Sequence, residues 1–225
     1  MKVLYALESI RTPWLDTVMA AITHLGEETV FMVAALFVFW CVSKRHGYYL
    51  LAIGFAGTVL NQFLKLLFRI PRPWVLDSDF TIVESARAQA TGYSFPSGHS
   101  QNAVGTFGGI ARFTRRKWVR VAAIVVAVLV PLSRMYLGVH TPLDVGVAFL
   151  TALALAAALY PAFRTESAAK KTVPWLLFGV AVLCGGYLIY ASSLARCDWP
   201  EGSEDLSNIT NGLKNAYTML GALMG

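Results

Sequence analysis

The strongest constraint on this chain is a set of long stretches without a single charged side chain: His46–Leu64, Val145–Phe163 and Thr172–Ala195. A membrane-spanning helix needs about 20 mostly apolar residues, and each stretch is long enough to hold one. Three further segments are shorter or interrupted. Thr29–Ser43 is brief but intensely apolar, Val121–Ser133 is extended past Arg120 by Trp118 and Val119, and Ser100–Ala111 is small and polar. Glycine mixed with Ser, Asn and Gln in the last of these fits a helix buried inside a bundle, lining a polar site. The expectation is therefore an all-α polytopic membrane bundle of six transmembrane helices, near residues 27–43, 48–67, 98–113, 118–136, 143–163 and 173–194.

Composition agrees. Hydrophobic residues are 56% of the chain and charged residues 14%, against roughly 25% charged in an average soluble domain. A soluble globule cannot be dressed with so little charge. Three widely spaced cysteines, Cys41, Cys184 and Cys197, offer neither a disulfide framework nor a paired-cysteine metal site. The net charge of +6 reads as the asymmetry of membrane loops, and no nucleic-acid partner is expected.

Both ends differ from the middle. Glu8 and Arg11 interrupt any signal-peptide core. Val3, Leu7, Ile10, Trp14, Val18 and Ile22 fall at helical spacing around Pro13, which suits an interfacial amphipathic segment or a helix docked on the bundle. Leu206, Ile209, Leu213, Tyr217 and Leu220 repeat the pattern near the C-terminus. Residues 1–195 read as one membrane domain and residues 196–225 as an external amphipathic tail. Its apolar, glycine-rich finish marks either a truncation or a half-span packed on the bundle.

Orientation follows from the basic residues. If the first span runs inward, one side gathers Lys44, Arg45, Arg112, Arg115, Arg116, Lys117, Arg120, Arg164, Lys170 and Lys171, with Glu166 as its only acid. The positive-inside rule then places both termini outside.

Three loops on the outer side carry the polar chemistry. In the first, Lys65 closes a span, where a charge is costly unless paired or snorkelling, and Pro71 and Pro73 hold Arg72 on a non-helical turn. In the second, Pro96-Ser97-Gly98-His99 leads into the third span. Ser97 suits an N-cap, Gly98 admits a ligand to the backbone, and the helix start favours an anion beside His99. In the third, Arg134 precedes His140, and Thr141-Pro142 reads as a helix start. Asp144 can then reach back to the imidazole and fix its tautomer. His24 and His46 lack such company and read as structural or solvated. Asn208-Ile-Thr210 matches a glycosylation sequon by chance.

Lys65-x6-Arg72-Pro73, Pro96-Ser97-Gly98-His99 and Ser133-Arg134-x5-His140-x3-Asp144 together resemble the three-part signature of the phosphatidic acid phosphatase type 2 superfamily. The signature covers residues 65–144, and the opening stretch is similar to bacterial members. The resemblance implies catalytic roles for His140 as nucleophile, Asp144 as its orienting partner and His99 as the acid that serves the leaving oxygen. It implies that Lys65, Arg72, Ser97, Gly98 and Arg134 bind the phosphoryl oxygens, with no metal and no cofactor. The substrate so implied is a membrane lipid phosphate or pyrophosphate taken at the outer face of the cell membrane. Undecaprenyl pyrophosphate ranks first because an outward site suits carrier recycling; phosphatidylglycerol phosphate and phosphatidic acid are the alternatives. Vanadium haloperoxidases share such an anion site but are soluble. A non-enzymatic lipid transporter or scaffold is the remaining alternative, and the intact His99, His140 and Asp144 set weighs against it.

Overall fold

The computed structural model describes residues 1–224, and ten α-helices make up most of them. The framework is α4 (Lys44–Phe68), α6 (Gly98–Phe113), α7 (Lys117–Tyr136), α8 (Pro142–Leu159) and α9 (Glu166–Ala195). Their ends follow from local chemistry. α4 runs on through its charge-free stretch until Arg69, which takes a left-handed conformation with φ 50°. Pro71 and Pro73 then forbid continuation, and only the single turn α5 (Pro73–Leu76) follows. Ser97, Thr141 and Thr165 cap α6, α8 and α9 with side-chain oxygens, meeting backbone donors that a helix start leaves free.

α6 is the axis of the bundle, packed against α4, α7 and α8. Its glycines make this possible. A β-carbon at Gly105 would sit 2.8 Å from Ile53 Cγ2, and one at Gly109 2.7 Å from Leu50 Cδ2. Small residues let helix backbones close in where lipid supplies no hydrophobic drive. Ser100, Gln101, Asn102 and Thr106 are buried on this helix, as its polar composition predicts.

By length and apolarity, four helical segments among the described residues can cross a membrane: α4 with its extension to Leu76, α7, α8 and α9. The pair α2 (Pro13–His24) and α3 (Glu28–Phe37) passes as a fifth only if its 50° bend counts as one broken span. The chain is thus a multi-pass membrane protein, and apolarity alone does not deliver the expected count of six. α6, with sixteen residues, falls short of that length, and half of them are buried against its neighbours. The expected first span at 27–43 is α3 followed by one wider turn, Val38–Val42, in which the Ser43 N–H reaches the Val38 carbonyl at 2.8 Å.

Both terminal segments dock on the bundle. α1 (Lys2–Glu8) and α2 lie against α7. Arg11 Nε donates to the Tyr136 carbonyl at 3.0 Å, and the Tyr136 hydroxyl donates to Asp16 Oδ1 at 2.7 Å. At the other end α10 (Glu204–Met224) folds back on α9 and touches α4, burying Ile209 and Ala216. The Tyr187 hydroxyl donates to the Gly212 carbonyl at 2.9 Å.

Antiparallel alternation sorts the ends of the helices. The C-terminal ends of α4 and α7 meet the N-terminal ends of α6 and α8 on one side. Basic residues gather on the other, where Arg45 donates to the Arg164 carbonyl and the Arg112 guanidinium sits 4.5 Å over the Tyr160 ring.

Candidate active site

His140 lies between α7 and α8, in a short turn that passes through Gly138 at φ 81°. The turn ends at a reciprocal cap. The Asp144 N–H donates to Thr141 Oγ1 at 3.2 Å, and the Thr141 N–H donates to Asp144 Oδ2 at 2.7 Å. That cap swings the carboxylate back, so that Oδ2 stands 3.6 Å from His140 Nδ1. Ser94 completes the arrangement. Its hydroxyl donates to the same carboxylate oxygen at 2.6 Å and lies 3.5 Å from Nδ1. The sequence predicts the nearness of His140 and Asp144, but the cause differs. His140 is outside the helix, and the cap and Ser94, rather than a shared helix face, set the pair.

The other ring nitrogen faces Arg72, whose Nη1 is 3.0 Å from His140 Nε2. A guanidinium only donates, so this contact assigns an unprotonated Nε2 and puts the ring proton on Nδ1, toward Asp144. Burial, reinforced by Arg72, Arg134, Lys65 and His99, holds the His140 imidazole well below its ordinary pKa. A neutral ring with a free electron pair on Nε2 is the form a nucleophile needs.

Three buried cations surround it. Arg72 is fixed by carbonyls: Nη1 donates to Val139 at 2.9 Å, Nη2 to Thr91 at 2.7 Å and Nε to Gly92 at 3.0 Å. The Lys65 ammonium donates to the Tyr93 carbonyl. Arg134 Nη1 donates to Thr23 Oγ1 at 3.0 Å, while its Nε and Nη2 meet no hydrogen-bond acceptor among the described residues. Buried N–H groups are nearly always satisfied, so two such groups on one cation are free to receive the oxygens of an anion.

A cavity of about 250 Å³ joins these groups, with Lys65, Arg72, Gly98, His99, Arg134 and His140 in its wall. Gly98 and His99 open α6, whose N-terminal end favours negative charge. His99 Nε2 has no hydrogen-bond partner among the described residues. Seven of the eight residues singled out in the sequence thus meet at one place, six in the wall and Asp144 directly behind His140. Ser97 is adjacent but differently engaged. Its side chain is buried and accepts from Ser100 N at 3.4 Å and Ser100 Oγ at 2.9 Å, while its N–H donates to the Asp144 carbonyl at 3.1 Å. It holds α6 to α8 and does not line the cavity.

Sequence reasoning missed several participants. Ser94 sits in an irregular stretch where no periodicity distinguishes it. Thr23, which receives Arg134, comes from an N-terminal segment read as interfacial. Gln62, Asn102 and Asn215 also line the cavity, and Asn215 lies on the segment read as an external tail.

A family model described as PAP2 superfamily matches residues 45–168. Phosphatidylglycerophosphatase B of Bacillus subtilis is 35% identical over 149 residues, covering 60% of this chain and 69% of that one. Undecaprenyl-diphosphatase of Sulfolobus acidocaldarius is 33% identical over 132 residues, covering 58% of this chain and 62% of that one. Among solved structures, Aquifex aeolicus LpxE superposes with a TM-score of 0.62 at 26% identity, covering 70% of this chain and 92% of that one. A transmembrane PAP2-type phosphatidylglycerolphosphate phosphatase from Bacillus subtilis gives 0.57 at 32% identity, over 71% and 82%.

Proposed function

This chain belongs to the PAP2 superfamily, and we propose that it hydrolyses a lipid phosphate or pyrophosphate through a phosphohistidine formed on His140. The observation that carries the reading is the pairing of an unprotonated His140 Nε2, held at 3.0 Å by Arg72, with two unpartnered N–H groups of Arg134 in the same cavity wall. One is a nucleophile and the other a receptor for phosphoryl oxygens.

The steps follow from these positions. A phosphoryl group enters between Lys65, Arg72 and Arg134. The Arg72 donor passes from Nε2 to a phosphoryl oxygen, which frees the nitrogen's electron pair. Nε2 attacks phosphorus and the bond to the lipid oxygen breaks. A phosphoryl group that enters as its monoanion gives its proton to His99, and the departing lipid oxygen takes that proton from His99 as the bond breaks. Water then attacks the phosphohistidine, His99 takes its proton, and phosphate and neutral His140 are released. Charge spreads over three equatorial oxygens in the transition state, and three fixed cations with the α6 N-terminus stabilise it without reorganising. The cations of the chain itself fill the role that Mg²⁺ has in other phosphoryl-transfer sites, so turnover is independent of metal.

The proposed topology has six crossings, with the α2–α3 pair, α4, α6, α7, α8 and α9 as the spans. The catalytic end faces outward, because the opposite end carries Arg45, Arg112, Arg115 and Arg116. In that position a headgroup enters from water while its chains stay in lipid. Undecaprenyl pyrophosphate and phosphatidylglycerol phosphate are both substrates in keeping with the names of the relatives.

The test is phosphate release from a panel of lipid phosphates in detergent, with EDTA present and the His140→Ala variant alongside. Release by the wild-type protein that vanadate suppresses and His140→Ala lacks is the expected result. Activity that collapses in EDTA and returns with Mg²⁺ would sink the proposed chemistry.

A further inference from the structure

Beside the catalytic cavity lies a second, smaller one of about 30 Å³, and the two share Gln62, Lys65, Thr91 and Asn215 in their walls. Its far side is α10, which presents Asn208 and Asn211 to it one turn apart. Nothing among the described residues hydrogen-bonds the side chains of Asn208, Asn211 or Asn215. The helix is nonetheless held firmly over the site. Tyr93 OH donates to Asp205 Oδ1 at 2.5 Å, and a β-carbon on Gly212 would lie 3.0 Å from Leu66, so α10 presses closely on α4 at this point. The whole of α10 lies outside the residues that match the family model.

We propose that α10 supplies a headgroup subsite, in which Asn208, Asn211 and Asn215 bind a free hydroxyl of the glycerol or sugar unit that carries the scissile phosphate. The proposal rests on the phosphatase reading and narrows its substrate class. The lining chemistry makes the choice. A carboxamide both donates and accepts, as a hydroxyl does, whereas a phosphate at neutral pH chiefly accepts. Lys65 is the one cation among the described residues in the smaller cavity's wall, and its ammonium already meets the Tyr93 carbonyl. The Asp205 carboxylate at the Tyr93 hydroxyl opposes a second anion further. The volume also matters, because a cavity needs about 10–15 Å³ for one water-sized group. The space fits about two hydroxyls and is too small for a phosphate with its oxygens.

The experiment compares kcat/KM of the full-length protein in mixed micelles on phosphatidylglycerol phosphate, on a polyprenyl pyrophosphate and on para-nitrophenyl phosphate. For Asn208→Ala/Asn211→Ala the ratio of phosphatidylglycerol phosphate to para-nitrophenyl phosphate should fall about tenfold, the weight of one or two hydrogen bonds, mainly through KM. Using a ratio cancels any shared loss from misfolding. Asn211→Lys adds a cation and should raise the ratio of pyrophosphate to phosphatidylglycerol phosphate by about tenfold, a gain that loss of folding cannot mimic. An unchanged ratio in the double variant overturns the subsite, and so does a loss confined to the pyrophosphate. A wild-type protein that releases phosphate from none of the three overturns the phosphatase reading itself and the subsite with it.

Discussion

Arg72 Nη1 donates to His140 Nε2 across 3.0 Å, so the atom assigned to attack phosphorus is covered by a cation until a phosphoryl oxygen draws that cation away. The contact does two things. It fixes the tautomer of the ring, and it keeps Nε2 from accepting a proton from water.

The first prediction concerns pH. The folded pKa of His140 lies well below its ordinary value of 6.5, through burial and then the nearby cations. Below about pH 6.5 the unfolded chain binds a proton there that the folded chain does not. Stability therefore rises with pH through that window and is lost as pH falls toward the folded pKa. Carbon-labelled histidine NMR, with the resonance identified by His140→Ala, should show no titration of this ring between about pH 5.5 and about 7.5. A midpoint near 6.5 would show that the ring is solvated and the contact with Arg72 absent.

The two histidines should separate by leaving group. His140→Ala should abolish turnover and any covalent phosphoenzyme, because it removes the nitrogen assigned to attack phosphorus. His99→Ala should slow phosphoenzyme formation by about 10²-fold or more for an alkyl monoester. The loss should be smaller for an aryl phosphate or a pyrophosphate, which depart without a proton. Trapping acid-labile phosphoenzyme in full yield from His140→Ala would mean that another residue is the nucleophile.

Ser94 should behave as a positioning residue. Ser94→Ala removes the 2.6 Å hydrogen bond to Asp144 Oδ2 and leaves the Thr141 N–H in place. A hydrogen bond to a charged group contributes about 1.5–3 kcal/mol, so kcat should fall about 10- to 100-fold with KM little changed. Asp144→Asn should cost at least as much, since an amide there no longer favours a proton on Nδ1. Wild-type kcat in Ser94→Ala would show that the Thr141 cap alone suffices.

Sidedness gives the fourth prediction. Asp79 lies in the loop at the catalytic end and Arg116 at the basic end, and both are exposed. Single cysteines at these positions, in a background lacking Cys41, Cys184 and Cys197, should differ toward an impermeant thiol reagent on intact cells. Only the cysteine at position 79 should react. The opposite pattern would turn the catalytic end inward.

The site was more legible in the sequence than the fold was. Lys65, Arg72, His99, Arg134, His140 and Asp144 are chemically costly in an apolar chain, and cost of that kind advertises function. Three of the expected spans announce themselves by lacking charge. α6 does not, because it is held by helix packing through Gly105 and Gly109, a tertiary property at which only its small, polar composition hints. Ser94 was invisible for a similar reason: its partner Asp144 is distant in sequence, and only the fold brings them within 2.6 Å. Ser97 shows the reverse failure. The residue was noticed for the right local reason, its cap, yet that same bond keeps its hydroxyl out of the cavity wall. The apolar stripe of α10 is plain in the sequence, whereas Asn208 reads there only as a chance sequon, and nothing local ties Asn211 and Asn215 to the site.

The burial of Lys65, Arg72 and Arg134 around one small volume has a consequence for the end of the catalytic cycle. Such a cradle does not distinguish an oxyanion about to react from one just released. Inorganic phosphate should linger there, so the pace at which product escapes, rather than bond cleavage, becomes the natural ceiling on turnover. The same retention gives phosphate in the surroundings a direct brake on the enzyme, and it should raise the melting temperature of the protein in proportion to the logarithm of the anion present.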